Sequence, residues 1–582
     1  MRSRTIPGLN EQQGTVLVLS ILVMAVLVVM GLAFLITART EDTIAANYRN
    51  HTAAFYAAEA GLESGVASLK SLLGATPTPT DTQLTALAPP VLTDASYTFD
   101  AFQVTRVRTV QPYNYQTTLT SGAYAGLIAQ TTDYLVTATV RGPRGSRAQL
   151  TQKVQHLGIP LFQFGAFYGR GVDLEISAGP EMIFTGRIHA NSNLYLKANK
   201  GVKIDSYATT TGNLYRYVKK DPSNRGTNPK IKDASGNYQT LNFDHEYDQD
   251  FTNAWTADDW KSAALSTFGG RVQDSAMGVQ EIIPPIPDAL YDPNNADVSS
   301  HLMIEKGSAG DSPELQAAKM YYKADLIIEK EKAYDQAGNE VKLETCKDAN
   351  GKNAVRKEKF YDARENQDME VTQIDVGALT ACGFMPANGI LYATANEKKS
   401  GPKKGEGIRL VNGGELPSQG LTVVSENPVY VQGDYNTVNK VPAAVLADAI
   451  TVLSNNWGPN EYDKKKDKDK TSSRPAAETT VNAAFALGPS AESDVGQGNG
   501  QLENLIRFLE NWNSVDFNYN GSLVALWHSQ QATEAWRCCG DSGDNYYRPP
   551  NRNWAYDPLF NTNPPPGTPM GIIITRGPWS QG

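Results

Sequence analysis

Few residues of this 582-residue chain stand in patterns that perform chemistry. The six histidines (His51, His156, His189, His245, His301 and His528) include no pair at metal-ligand spacing, and HExxH is absent. There is no G-x-S-x-G elbow and no P-loop. Gly496-Gln497-Gly498-Asn499-Gly500 reads as a flexible glycine loop, because no βαβ unit surrounds it. Asp362, Arg364, Glu365 and Asp375 stand close together in the chain. Carboxylates so near one another suit acid–base work or a hard cation; the plainer reading is an ion-paired turn before a strand. Asp335, Asn339 and Glu340, and separately Asp348, Asn350 and Asn353, form oxygen-rich loops suited to calcium, but neither has EF-hand spacing. The expectation is a chain with no catalytic residues, no metal and no cofactor.

Four cysteines, Cys346, Cys382, Cys538 and Cys539, lack zinc spacing and contain no CxxC. The even count permits three pairings in an oxidising compartment. Cys346 with Cys382 is the first to consider. The adjacent Cys538 and Cys539 form either a vicinal disulfide or two separate loop thiols. The net charge of −9 and the lack of a basic stripe argue against a nucleic-acid partner. Lys464-Lys465-Lys466-Asp467-Lys468-Asp469-Lys470 is interrupted by acids and reads as a solvated surface insertion.

The element that must position everything else is at the front. Thr15 to Ala38 is an unbroken run without a charge. At ~1.5 Å per helical residue it spans about 36 Å, enough for a bilayer core of roughly 30 Å. It is too long for a cleaved secretory signal, and Arg39, Glu41 and Asp42 follow it directly. A plain signal anchor and a prepilin-type signal, cut before the apolar run at Gly14–Thr15, both remain. Beyond Ala38 the helical pattern continues. Ile44, Tyr48, His51, Phe55, Ala58, Leu62, Val66, Leu69 and Leu73 recur at steps of three and four until Gly74 and the PTPT after it. Half of this helix suits lipid; the other half is amphipathic and suits a bundle of helices. Arg2 and Arg4 stand before the run, which keeps the leader cytoplasmic and exports the rest.

The strings GTVLVLSILVMAVLVVMGLAFL and, at 54–63, AFYAAEAGLE resemble the N-terminal region of PilX-type minor pilins of type IV pilus assembly systems. The resemblance is close as far as Gly74 and looser through GLTVVSENPVYVQGDYNT, AAVLADAITVLSNNW and ENLIRFLENW. It implies cleavage between Gly14 and Thr15 by a prepilin peptidase and methylation of the new terminus. It also implies a single-pass inner-membrane protein with a periplasmic domain, later in a pilus or at the cell surface, whose partners are other pilins. Leu19, Tyr48, Phe55, Ala58, Leu62 and Leu69 are the residues expected to pack between subunit helices. Major pilins carry Glu as the fifth mature residue; here that place is Leu19. An ionised carboxylate in lipid persists only when paired. Leu19 therefore suits a subunit with none ahead of it, at a tip or in an initiating complex, or else marks family drift.

The fold class expected is α+β. After a leader (1–14) and the helix (15–74), positions 75–160 read as a small antiparallel sheet module. SYTFDAFQVTRVRTV, DYLVTATVRG and RAQLTQKVQHL alternate with period two. Positions 161–582 read as one large β-rich domain, with inserted material at about 216–415 whose helical patterning lies at 255–275 and 312–335. Short strands with Gly and Asn corners from Val172 and again at 421–457 suit a solenoid-like stack, with a sandwich as the second option. Leu502 to Trp512 reads as a helix and 513–527 as a strand. The Pro-rich tract that follows reads as scaffold cover or contact surface. Two functions stay in view: a structural minor pilin-like subunit, or a membrane-anchored periplasmic glycan-binding module or polysaccharide-active enzyme.

Overall fold

The computed structural model describes residues 11–76, 78–177, 179–249, 251–286, 290–395, 404–458, 471–491, 499–538 and 546–582. One helix, α1 (Glu11–Ala75), runs unbroken from before the apolar segment into the first domain. No proline interrupts it, and Gly74 stands at its end.

The sheet module holds β1 (Thr98–Arg106), β2 (Tyr115–Thr118), β3 (Ile128–Arg141) and β4 (Arg147–Pro160). The β1–β3, β2–β3 and β3–β4 pairs are all antiparallel. A fifth strand comes from the far end of the chain. Met570–Gln581 pairs antiparallel with β4, from Met570 opposite Pro160 to Gln581 opposite Leu150. The module is thus not confined to 75–160: its last strand arrives only after the whole large domain has been built.

The large domain is a parallel stack. Ala166 pairs with Ile188, Ile188 with Ala208 and Ala208 with Val272. On the next face Leu174, Leu194 and Leu214 stand in register, evenly spaced along the sequence. On a third, Met182 meets Val202. Leucine recurs on one face and other buried apolar residues on the remaining two, so the stack fills its own interior. The second half builds its coils from Leu326–Glu329, Ile390–Thr394, Leu421–Ser425, Ala443–Ala447, Thr479–Leu487 and Asp516–Ala525, all parallel along one wall.

The two halves join through Leu523–Ala525 of the last coil, which pairs parallel with Ala166–Tyr168 of the first. One thirteen-stranded wall results. The chain enters this stack in its middle, winds outward to Val272, crosses to the far end and winds back to the seam. Both connections to the sheet module, at 160–166 and 525–570, therefore leave from the same place. One face of the wall lines the solenoid interior. The other packs on the sheet module through Tyr124, Leu157, Phe162, Phe164, Phe167, Trp527 and Ile573.

Three expectations need correction. The stretch 216–415 is not mainly inserted material. Leu326–Glu329, Gln367–Asp375, Ile390–Thr394 and Lys404–Val411 are ladder strands of the stack. Uneven spacing between these coils hides the repeat. The helical patterning at 312–335 yields only Pro313–Ala318 and a short 3-10 turn before strands Leu326–Glu329 and Lys332–Asp335. Leu502 to Trp512 is helical only at Leu502–Asn504. Leu505, Ile506, Arg507, Phe508, Leu509, Glu510 and Trp512 are all buried, so the run is enclosed on every side, with Arg507 bridging Thr451.

Candidate functional site: the projecting helix

Ala54 is the first buried residue of α1 among those described. Ala54, Ala58, Leu62, Val66, Leu69 and Leu73 then recur on one face, all between 0 and 2% exposed, against β3 and β4. Near the helix entry Ala54, Ala58 and Leu62 close on Val140, Ala148 and Leu150. Further along, Val66, Leu69 and Leu73 close on Val104, Tyr134, Val136 and Val154. Two glycines set the distance between helix and sheet. A Cβ at Gly65 would lie 2.7 Å from Val136, and one at Gly61 would overlap the Phe99 ring. The 54–63 string is thus a seat of small residues that lets a helix backbone lie close on a sheet.

The C-terminal strand guards the point where the helix leaves. Trp579 meets Phe55 edge-on at 5.5 Å between ring centroids. Arg576 Nη1 donates to Glu63 Oε2 at 2.6 Å. N-terminal to this clasp no other described segment covers the apolar run. Every residue from Gly14 to Thr37 is exposed, and Gly14–Ala53 projects about 60 Å at ~1.5 Å per residue. The helix is long and apolar enough to cross a membrane, and none of its most apolar window is buried.

The structure divides the six residues expected to pack between subunits. Leu19 and Tyr48 are 63% and 74% exposed, and Phe55 is half-buried. Ala58, Leu62 and Leu69 are core residues of their own sheet module. They are unavailable to a neighbour, because the sheet occupies the face that periodicity marks as apolar. Gly14 and Thr15 lie within the continuous helix, both exposed. Sequence reasoning missed Gly61, Gly65, Arg576 and Trp579. Two glycines four apart on the apolar face, and the period-two segment before Trp579, were the available signals.

The remaining candidates resolve into structure. Cys346 and Cys382 are disulfide-bonded, with Cα atoms 5.8 Å apart. Cys539 lies outside the described residues, as does 464–470. Asp362 accepts the Tyr430 hydroxyl at 2.7 Å and the backbone N–H groups of Arg364 and Glu365. Glu365 pairs with Arg507 at 3.1 Å. Burial pushes its carboxyl up to about 7 despite the arginine. Asp375 caps the helix Val376–Ala381. This is an ion-paired turn. Asp335 accepts from the backbone and side chain of Asn339, and Asp348 binds backbone amides and Arg356. Their oxygens close turns rather than a cation cage, and no group of metal-ligating side chains occurs among the described residues.

Residues 13–63 match the family described as PilX N-terminal. Among solved structures, the competence-associated pilin ComZ from Thermus thermophilus aligns over 92% of this chain and 97% of that one. Its identity is 11% and the TM-score 0.27, too low to carry an argument about topology. No curated protein matches the sequence. The segment that projects and then seats itself on the sheet is thus the part of the chain that is similar to the PilX N-terminal family.

Proposed function

We propose that this chain is a structural minor pilin-like subunit of a type IV pilus or related filament, placed at its tip or in the complex that starts it. The observation that carries the reading is the division of α1. Its inner half is fastened to its own sheet, while Gly14–Thr37 offers an apolar surface that no other described segment covers. In water such a surface is unstable; lipid and the equivalent helices of other pilins satisfy it. The domain hangs in the periplasm, and prepilin peptidase cuts before Thr15.

Leu19 supports the tip position, because it removes the carboxylate that would need a partner ahead. The solenoid supports it too. A domain that takes up most of the chain, fixed beyond a small sheet module, suits an end better than a repeated shaft position.

Intact mass of protein from cells with a prepilin peptidase should correspond to a chain starting at Thr15. Gly14→Asp should leave the full-length precursor. A mature protein still starting at Met1 would remove the pilin reading. Abundance equal to the main pilin in purified filaments would remove the tip position alone.

A further inference from the structure

At the seam, where the two half-stacks meet, lies a cleft of about 460 Å³. Both halves build it. Glu175, Ser177 and Lys220 come from the first; Glu503, Asn504, Trp536 and Arg552 come from the second. Its volume is in the range of small-ligand sites. The pilin reading makes no use of it.

The lining is organised. The Trp536 indole N–H donates to the Tyr547 hydroxyl at 2.8 Å, and that hydroxyl donates to Asn504 Oδ1 at 2.7 Å. Arg552 Nη2 donates to the same oxygen at 2.8 Å. Trp536 is pressed on the chain at Gly500, where φ is +92° and a Cβ would lie 2.7 Å from the ring. The next residue, Gln501, holds φ +63° without being glycine, a conformation that surrounding structure must enforce. Glu175 and Glu503 are 4% and 6% exposed. Burial raises the Glu503 carboxyl to about 7, so near neutrality it both accepts and donates.

Both signs of charge line the cleft: Glu175 and the partly protonated Glu503 stand against Lys220 and Arg552. No single sign dominates it. A neutral ligand that carries hydroxyls at its edges and C–H groups on its faces matches carboxyl, amide and guanidinium groups set beside an indole. We infer that this cleft binds a neutral saccharide, with Trp536 against the sugar face and Glu503, Asn504 and Arg552 at its hydroxyls.

The test is full-length protein, in a detergent without a sugar headgroup, on an array of cello-, malto-, xylo- and chito-oligosaccharides. The array also carries acidic uronate oligosaccharides and unrelated peptides. Wild type should bind at least one neutral series. Trp536→Ala and Glu503→Gln should lower that signal ten-fold or more. Asn199→Trp, at the exposed rim, should do the same without touching the core. It keeps the test decisive if the other two variants unfold. No retention of any neutral saccharide, retention only of uronates or peptides, or binding undiminished by Asn199→Trp would each overturn the inference. None of these outcomes bears on processing at Gly14.

Discussion

The two halves of α1 are one helix with two fates. From Gly14 to Ala53 no residue is buried; from Ala54 to Leu73 a buried residue returns every three or four positions. Thr15–Ala38 carries no charge, whereas the seated half is amphipathic, with Glu59, Glu63 and Lys70 among its apolar residues. Residue size separates them too. The projecting half carries Val, Leu, Ile and Met, which cover area and suit lipid. The seated half alternates Ala and Gly with Leu, which brings a helix backbone down onto a sheet. A face that reads as an assembly surface is here a folding surface, and the surface left uncovered is the half with no described segment beneath it.

The sharpest way to break this division is a charge in each half. Leu62→Asp places an unpaired carboxylate among Val140, Ala148 and Leu150 and removes a core side chain. That should cost about 4 kcal/mol or more and melt the sheet module. Leu19→Asp should leave the melting of the sheet module and the stack unchanged, because Leu19 lies on the exposed, projecting half. Thermal unfolding followed by near-ultraviolet circular dichroism separates the cases. Equal midpoints for Leu62→Asp and wild type would remove the seat.

A second contrast is in pH. His156 on β4 and His189 in the wall are buried, and burial holds both down to about 4. Because the folded value is depressed, their neutral burial is costless above the free value near 6.5. Stability is lost as pH falls from there through about 4, by up to about 3 kcal/mol for each histidine. Glu503 and Glu365, raised to about 7 by burial, act oppositely: their stabilising share is lost as pH rises through 7. His156 Nε2 has no hydrogen-bond partner. His156→Leu should therefore leave stability at pH 7 unchanged or slightly higher, and flatten the acid side of a plot of unfolding midpoint against pH. An acid limb as steep as wild type would place the sensitivity elsewhere.

What the sequence discloses depends on how local its cause is. α1 and strands β1, β3 and β4 are legible because each is long: α1 joins a charge-free run to an amphipathic one, and the strands alternate over much of their length. The short Gly- and Asn-cornered strands announce a stack, but not its order. The even step of Leu174, Leu194 and Leu214 is followed by a jump from Ala208 to Val272 before the next strand of the wall. The seam between Leu523 and Ala166 pairs strands that stand side by side in the stack but far apart in the sequence, and no local pattern records such a pairing. Leu502 to Trp512 misleads for another reason: a run buried on all sides has no face to reveal its period. At the site, the string 54–63 is visible as a resemblance, while the direction its small residues face depends on a sheet whose last strand begins at Met570.

That last strand offers the finest test of where the seat ends. Trp579 contacts Phe55 and Arg576 pairs with Glu63, both on the rim and partly exposed. An aromatic pair contributes about 1 kcal/mol beyond its buried area, and an exposed ion pair between 0 and about 1. Trp579→Ala should therefore barely move the global midpoint. It should act locally, because the first turns of the seat have only Ala54 and Ala58 beneath them. Hydrogen exchange of the amides at 52–58 should accelerate several-fold while those at 66–73 stay as in wild type. Arg576→Ala should produce a smaller change of the same kind. If exchange in Trp579→Ala rises equally along 54–73, the clasp is part of the whole seat rather than its outer boundary. The projecting half then starts not at Ala53 but wherever the sheet as a whole lets go.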